Sequence, residues 1–403
     1  MLDHLRPQYA KHFRCIGTDC EDTCCHGLDV VVDKSAYERF NAPRLRHLLE
    51  QFEEIEGNQT DSRYARVKLT PAFRCPLLSS NRLCSIQQQY GEAYLPEVCR
   101  SYPRISRRID GLPETALLLS CPEAARLVLL NQELIPAVTN RGLSRYEEFL
   151  HPADVRANGS PHQFLWEIRG FTLLLLHDRS YEPWERVFIL GMFCKRLEEV
   201  TAYDQSVGIH WLLRNYACML ENGSLRDLMK GLPAQASLQL ADVIAITDGY
   251  LKIIDGSHIR FRECTRDFLQ GIGHEPDSTL ESLVPAYVTA HATHYRPFID
   301  AHPFLLENYL VNYVFRTRFP FGIDSMGKPS CPKTEFLNMC LRFGVMKSML
   351  IGMAGHYGEA FSTDHVVKLV SSFCRVVEHC PELPSPGLSA ADDTARIAAL
   401  LKN

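Results

Sequence analysis

Along its second half the chain repeats apolar residues at helical spacing, and nowhere there does it alternate apolar and polar positions as a half-buried strand would. From Ser160-Pro161 onward, Phe164, Leu165, Ile168, Phe171, Leu174 and Leu175 recur with a 3.6-residue period, which predicts a helix with one apolar face. Further helices are expected around 183–200, 206–221 (with Gly223 as a stop), 237–254, 304–317, 335–356 and 363–379. PELPSPGLSA reads as a loop before a short last helix. The first part of the chain has a different texture, rich in glycine, proline, aspartate and asparagine. Within it DKSAYERFNAPRLRHLLEQFEEIEG, from Asp33 to Gly57, places Leu45, Leu48, Leu49 and Phe52 at helical spacing, with Gly57 as the stop. An extended segment is expected at Thr115–Leu119 and a helix start near Pro122. The fold class that follows is mainly α: a cysteine-rich N-terminal domain of loops and short helices over 1–138, a polar linker over 139–161, and an all-α domain over 162–403.

Composition narrows the partners. At 403 residues, with 46% hydrophobic and 23% charged residues, the chain can bury a sizeable core without cross-links. A formal net charge of −5 gives no reason to expect a nucleic acid or an acidic membrane surface. The local basic run Arg100, Arg104, Arg107 and Arg108 reads as a solvated face or as an anion contact. Asp3, Arg6, Pro7 and Lys11 interrupt any apolar signal core at the N-terminus, so no secretory peptide is expected. FTLLLLH, 171–177, stands as the strongest apolar run and is far below the roughly 20 residues that a membrane span requires. No membrane partner and a cytoplasmic location are therefore expected, and in that compartment clustered thiols bind metal or react rather than form disulfides.

The candidate chemistry lies in the cysteines. Eight of the fifteen fall in the first 121 residues: Cys15, Cys20, Cys24 and Cys25 within RCIGTDCEDTCCHG, then Cys75, Cys84, Cys99 and Cys121. A short loop can supply several ligands while distant thiols close the site, as in four-cysteine zinc sites and in iron–sulfur clusters. Eight thiols suffice for two four-ligand sites, or for one with four left over. Cys24 and Cys25 are adjacent, so in regular backbone their side chains point apart and would not serve one metal atom equally. His26 reads as a surface or supporting histidine rather than a ligand. The C-x3-C-x2-C motif of radical enzymes is absent, and so are paired C-x2-C zinc knuckles. LQGIGHEP, around Gly271 and Gly273, has two glycines and no preceding strand, so it reads as a turn between helices rather than a nucleotide loop. Asn308, Tyr309, Asn312 and Tyr313 put polar and aromatic groups four residues apart on one helix, as packed core or as a pocket contact.

The segments FRCIGTDCEDTCCHGLDVVVDKSAY (13–37), CPLLSSNRLCSIQQQYGEAYLPEVCRSYPR (75–104), SCPEAARL (120–127) and ENYLVNYVFRTRFPF (307–321) resemble the flagellin lysine-N-methylase (FliB) family. The first two are also similar to small cysteine-rich proteins described as zinc- or iron-chelating. The resemblance implies methylation of flagellin lysine ε-amines by S-adenosylmethionine, with an iron–sulfur cluster of the [4Fe–4S] type on the N-terminal cysteines. The family pattern falls on Cys15, Cys20, Cys24, Cys25, Cys75, Cys84, Cys99 and Cys121, zinc being the alternative metal. Leu28 stands where the family carries tryptophan. Arg100, Tyr102 and Arg104 flank Cys99 and would stand near a metal bound there, where an arginine can meet the cofactor carboxylate bidentately. No general base is legible. The competing reading is a non-enzymatic metal-binding module whose helical domain docks a partner.

Overall fold

The computed structural model describes residues 7–57, 59–109, 111–134, 164–201, 205–254, 256, 258–322, 330–379 and 394–402. The expected linker, 139–161, lies outside them. The described residues form two hydrophobic cores.

The smaller core is built by residues between Leu28 and Leu95. Its centre is an antiparallel sheet in the order β1-β3-β2, with β1 at Val31–Val32, β2 at Phe52–Glu54 and β3 at Ala65–Val67. The register sets Val32 and Glu54 on either side of Ala65. Helix α1, Lys34–Arg39, starts where the Asp33 carboxylate accepts the Ala36 N–H at 2.9 Å. The other oxygen of Asp33 accepts the Glu97 N–H, also at 2.9 Å. One side chain thus ties α1 to α3 (Glu97–Ser101), which follows α2 (Ser85–Tyr90). The continuous helix expected across 33–57 does not form. Pro43 follows the end of α1, Arg46–Gln51 is a 3₁₀ segment, and Phe52 enters strand β2 opposite Val67. The leucines still reach the core, because Leu45, Leu48 and Phe52 are all buried and Phe52 stacks on Phe40 with centroids 5.1 Å apart.

The larger core begins with Tyr9, Ala10 and Phe13 and resumes at Ile109. It therefore includes the hairpin of β4 (Arg104–Ile109) and β5 (Leu112–Leu117), and α4 (Pro122–Leu129), all of which precede residue 138. Twelve further helices complete it: α5 (Leu165–His177), α6 (Pro183–Thr201), α7 (Gln205–Glu221), α8 (Ser224–Gly231), α9 (Ala236–Ile253), α10 (Ile259–Gly271), α11 (Leu280–Ala290), α12 (Arg296–Ala301), α13 (Phe304–Thr317), α14 (Pro332–Tyr357), α15 (Thr363–His379) and α16 (Thr394–Leu401). Those expected from periodicity start and stop within a turn of the expected positions. Helix α5 differs from its expected single apolar face, since it is buried all round and carries Arg169 inside, fully buried against Glu114 of β5. Helix α14 is the central element. Its stretch Pro332–Ala360, rather than 171–177, is long and apolar enough to cross a membrane, yet 83% of that window is buried by its neighbours, as in a core helix.

Glycines let α10 and α14 touch backbone to backbone. A Cβ on Gly271 would stand 1.7 Å from the Gly352 carbonyl oxygen. Gly271 ends α10 and Gly273, at φ +71°, turns the chain away, so LQGIGHEP is the interhelical turn its spacing implied.

Candidate metal centre

The N-terminal thiols gather where the two cores meet: Cys75 is buried in the smaller core, Cys25 and Cys84 pack against it, and Cys121 packs against the larger one. Cys75 is placed by a bridge between two loops, its N–H donating to the Cys25 carbonyl at 2.8 Å and the Gly27 N–H donating to Phe73 O at 2.8 Å. Cys84 precedes α2, and Cys99 lies within α3.

Five thiols converge. The Cys25 thiol hydrogen-bonds Cys24, Cys75 and Cys84, and these contacts together with burial hold Cys25 protonated. As the acceptors of that one proton, Cys24 is brought down to about 7, Cys84 to about 6, and Cys75 is lowered as well. Arg375 adds to the effect at Cys24. Cys99 stands beside them, pushed up by burial and by the charges of Cys24, Cys84 and Cys75. A second group adjoins the first. Burial raises Cys121 to about 12, with Cys20 and Cys24 reinforcing it, and burial likewise raises Cys20, with the charge of Cys15 adding to it.

Adjacent Cys24 and Cys25 were expected to point apart, and instead their thiols touch. The cause is a turn: the Cys25 N–H donates to the Thr23 hydroxyl at 3.2 Å and the Thr23 N–H to Asp22 Oδ1 at 2.8 Å, so neither helical nor strand geometry applies. Among the described residues no group of three or more histidine, cysteine, aspartate and glutamate side chains stands in ready-made ligand geometry. The thiols pack on one another through the hydrogen bonds of Cys25. Their donor chemistry nevertheless fits a thiophilic metal, since Cys24, Cys75 and Cys84 already lean toward the thiolate form that such a metal takes, and a bound cation would draw the protons from the others. His26 is not part of the group, its Nε2 being engaged with the Ala72 carbonyl at 3.0 Å.

The arginines flanking Cys99 do not meet on one site. Arg100 is exposed and paired with Glu97 on its own helix. Arg104 donates to the Phe13 carbonyl at 3.0 Å and covers the Phe13 ring. Tyr102 turns inward to Ser120, 3.2 Å away, and Ser120 also meets His379 at 2.9 Å. The residue that grips the thiol loop is Arg375 of α15. Its guanidinium donates to Asp22 Oδ2 at 2.9 Å, to the Thr23 carbonyl at 2.8 Å and to the His26 carbonyl. Its only trace in the sequence is a lone arginine among the apolar positions of SSFCRVVEHC.

A model of the FliB lysine N-methylase C-terminal domain matches residues 169–385, more than half of the chain. The chain belongs to the FliB lysine N-methylase family. The match covers α15 with Arg375 and leaves out all eight N-terminal cysteines. Among curated relatives, the FliB-family chain is 28% identical to the flagellar biosynthetic protein FliU of Salmonella muenchen over 143 residues, which is 35% of this chain and 85% of that protein. It is 30% identical to the lysine-N-methylase of Salmonella choleraesuis over 126 residues, and 29% identical over the same length to that of Salmonella typhimurium. Each of these two alignments covers 30% of this chain and 31% of the methylase. No solved structure matches.

Within this family member, segment 307–321 joins the two halves of the larger core. Asn308 donates to the carbonyls of Val128, Leu129 and Asn131 at the end of α4, at 3.0, 3.2 and 2.6 Å. Asn312 donates to the Leu117 carbonyl at 3.0 Å and accepts from the Tyr9 hydroxyl at 2.6 Å. The two asparagines are structural, whereas Tyr309 and Tyr313 lie on another side of α13, toward α14 and α15.

Proposed function

We propose that this protein is a lysine N-methyltransferase that moves a methyl group from S-adenosylmethionine to lysine ε-amines of flagellin, and that four thiols of the group Cys24, Cys25, Cys75, Cys84 and Cys99 supply the ligands of an iron–sulfur cluster. The FliB-domain match over 169–385 carries the reading, and two relatives named as lysine-N-methylases support it. The name of FliU supports a flagellar acceptor. In the transfer the sulfonium carbon–sulfur bond breaks with its electron pair left on sulfur, a carbon–nitrogen bond forms, and the amine sheds a proton. A lysine of ordinary pKa, about 10.4, is protonated at neutral pH, so the site must desolvate it or take its proton. A cluster held by four of these five thiols would tie the Asp22–His26 turn to the segments that carry α2 and α3, with the thiol protons released on binding. Cys15, Cys20 and Cys121 supply the donors for any second metal.

Anaerobically purified protein incubated with flagellin and methyl-labelled S-adenosylmethionine should transfer label to lysine, and should contain iron and sulfide with broad visible absorbance. Iron-loaded, folded protein that transfers no label would leave the metal-binding module as the correct reading. Colourless active protein containing zinc would overturn the cluster.

A further inference from the structure

Helix α16 ends in a set of buried polar contacts. Its last turn leaves carbonyls without partners inside the helix, at the negative end of the helix dipole. Gln239 of α9, fully buried, donates to the Leu400 carbonyl at 2.7 Å and accepts from the Tyr287 hydroxyl at 2.8 Å. Lys347 of α14, only 5% exposed, donates its Nζ to the Leu401 carbonyl at 2.7 Å. One turn before Lys347, Gly344 makes room for the neighbouring side chain, since a Cβ there would stand 2.5 Å from Leu400 Cγ. Positions 344 and 347 share one face of α14, so α16 lies across that face. Its outer contacts are Arg396 with Asp242 of α9 at 2.7 Å, and Lys402 with the Met229 carbonyl at 3.3 Å.

Lys347 fits this seat poorly as a cation. Its ammonium carries three N–H groups, and the Leu401 carbonyl is its one hydrogen-bond acceptor among the described residues. The charges that act on it are Glu182, just before α6, which favours its charged form, and Arg296 of α12, which opposes it. Arg296 pairs with both Glu182 and Asp300 at 2.8 Å, so neither carboxylate is left for Lys347. His291 opens a π-helical turn, His291–Tyr295, that packs on α14. Burial, with Lys347 and Arg296 adding to it, holds His291 down to about 4, so this ring is uncharged at neutral pH. Tyr295 of the same turn is kept protonated by burial. Burial, which Arg296 reinforces and Glu182 opposes, brings Lys347 from 10.5 down to about 7.

We infer that α16 is a pH-responsive strap on the central helix: it grips most tightly when Lys347 is uncharged, and protonation of that amine loosens it. An uncharged amine keeps an N–H for the Leu401 carbonyl, so the docked contact survives loss of the charge. Lifting α16 admits water to the amine and returns it to its ordinary 10.5. The docked value is therefore the lower one. Docking is strongest above pH 10.5, weakens about tenfold for each unit of pH down to about 7, and is level below that. The range just above neutrality is where the strap responds, and opening it uncovers the Gly344–Lys347 face of α14 without unfolding the core.

The experiment is amide hydrogen exchange of the full iron-loaded chain between about pH 6 and pH 9, with rates divided by those of unstructured peptide. Protection of 394–402 should rise about tenfold per pH unit above about pH 7 and stay level below it, while 165–177 of α5 does not follow. Lys347→Met keeps the bulk and cannot titrate. It should make protection of 394–402 independent of pH and, at pH 7, stronger than in wild type. A flat wild-type profile, an equal slope in Lys347→Met, or an equal rise over 165–177 overturns the strap. Should Lys347→Met not fold, Lys347→Gln decides by the same comparison. Arg396→Ala loosens α16 without touching Lys347, and should raise acetylation of Lys347 by acetic anhydride several-fold. Unchanged acetylation in that variant would show that α16 is not what covers the amine, and would overturn the assignment.

Discussion

Arg375→Met removes the clamp on the thiol loop while keeping the bulk of the side-chain stem. In the wild type this guanidinium holds Asp22, Thr23 and His26, and its own side chain is only 7% exposed. Hydrogen bonds to a charged group contribute about 1.5–3 kcal/mol each. Asp22 is 21% exposed, so water takes over part of its share, and a total near 3–5 kcal/mol is the reasonable magnitude. Ordering the backbone of a five-residue turn costs about 1–2 kcal/mol per residue, so the loss is large enough to decide whether Asp22–His26 stays docked. Every 1.4 kcal/mol is tenfold, so the open population should rise at least 100-fold. The assay is the rate at which a disulfide reagent titrates Cys24 and Cys25 in metal-free protein, with iron content after reconstitution read in parallel. The expected result is thiol reactivity up by about two orders of magnitude and iron retention sharply reduced. The helical melt should move by less than ~1 kcal/mol, because no apolar contact of the larger core is removed. Arg375→Lys, with one point charge in place of a fork, should recover part of the protection. Wild-type thiol reactivity together with wild-type iron content in Arg375→Met would refute the clamp.

Two further outcomes follow from buried groups in the helical core. Burial pushes the Glu307 carboxyl up, but hydrogen bonds from His177 and Arg179 and the charges of His177 and Arg186 outweigh it and bring the group from 4.5 to about 2. Its folded value is depressed, so the stabilisation is present above pH 4.5 and is lost as pH falls through about 2, on the order of 3 kcal/mol in all. Urea melts of Glu307→Gln should therefore show a shallower fall in stability between pH 5 and about pH 2 than wild type, and parallel curves would contradict it. Gly271→Ala puts a methyl group against the Gly352 backbone and must push α10 from α14, at a cost of about 3 kcal/mol or more in thermal or denaturant melts, and an unchanged midpoint would disprove the close approach.

The helical core was legible because its period is long and its stop signals are local. Helices 304–317 and 363–379 are read off the apolar spacing alone, and Gly223 closes α7 as expected. The smaller core was not legible, because its strands are only two or three residues long and Phe52 carries the same apolar mark whether it belongs to a helix or a strand. Domain limits hid for a related reason. Nothing in the composition of residues 104–129 says that this hairpin and helix pack with Tyr9 and Asn312 rather than with the cysteine loops, since that choice is made by hydrogen bonds across 180 or more residues of sequence.

The site divides in the same way. Spacing was enough to nominate the thiols, but a one-residue turn at Thr23 decides that Cys24 and Cys25 work together, and turn chemistry of that kind is invisible to motif spacing. In ENYLVNYVF the four polar and aromatic positions looked equivalent. Asn308 and Asn312 are spent on carbonyls of the N-terminal elements, while Tyr309 and Tyr313, one residue further round the helix, face two arginines. A rotation of about 100° per residue separates the asparagine face, turned to the N-terminal elements, from the tyrosine face, turned to the arginines. Both faces are needed on the same helix. The asparagines fix α13 against α4 and β5, and α15 is fixed against the thiol loop by Arg375, so the placement of the N-terminal elements on these helices is set by two polar clamps as well as by apolar packing. Apolar contacts tolerate sliding, whereas carbonyl-directed hydrogen bonds from buried side chains do not, because a shift leaves donors and acceptors unpaired. That is the physical reason to expect the thiol loop to keep a fixed register against the helical core.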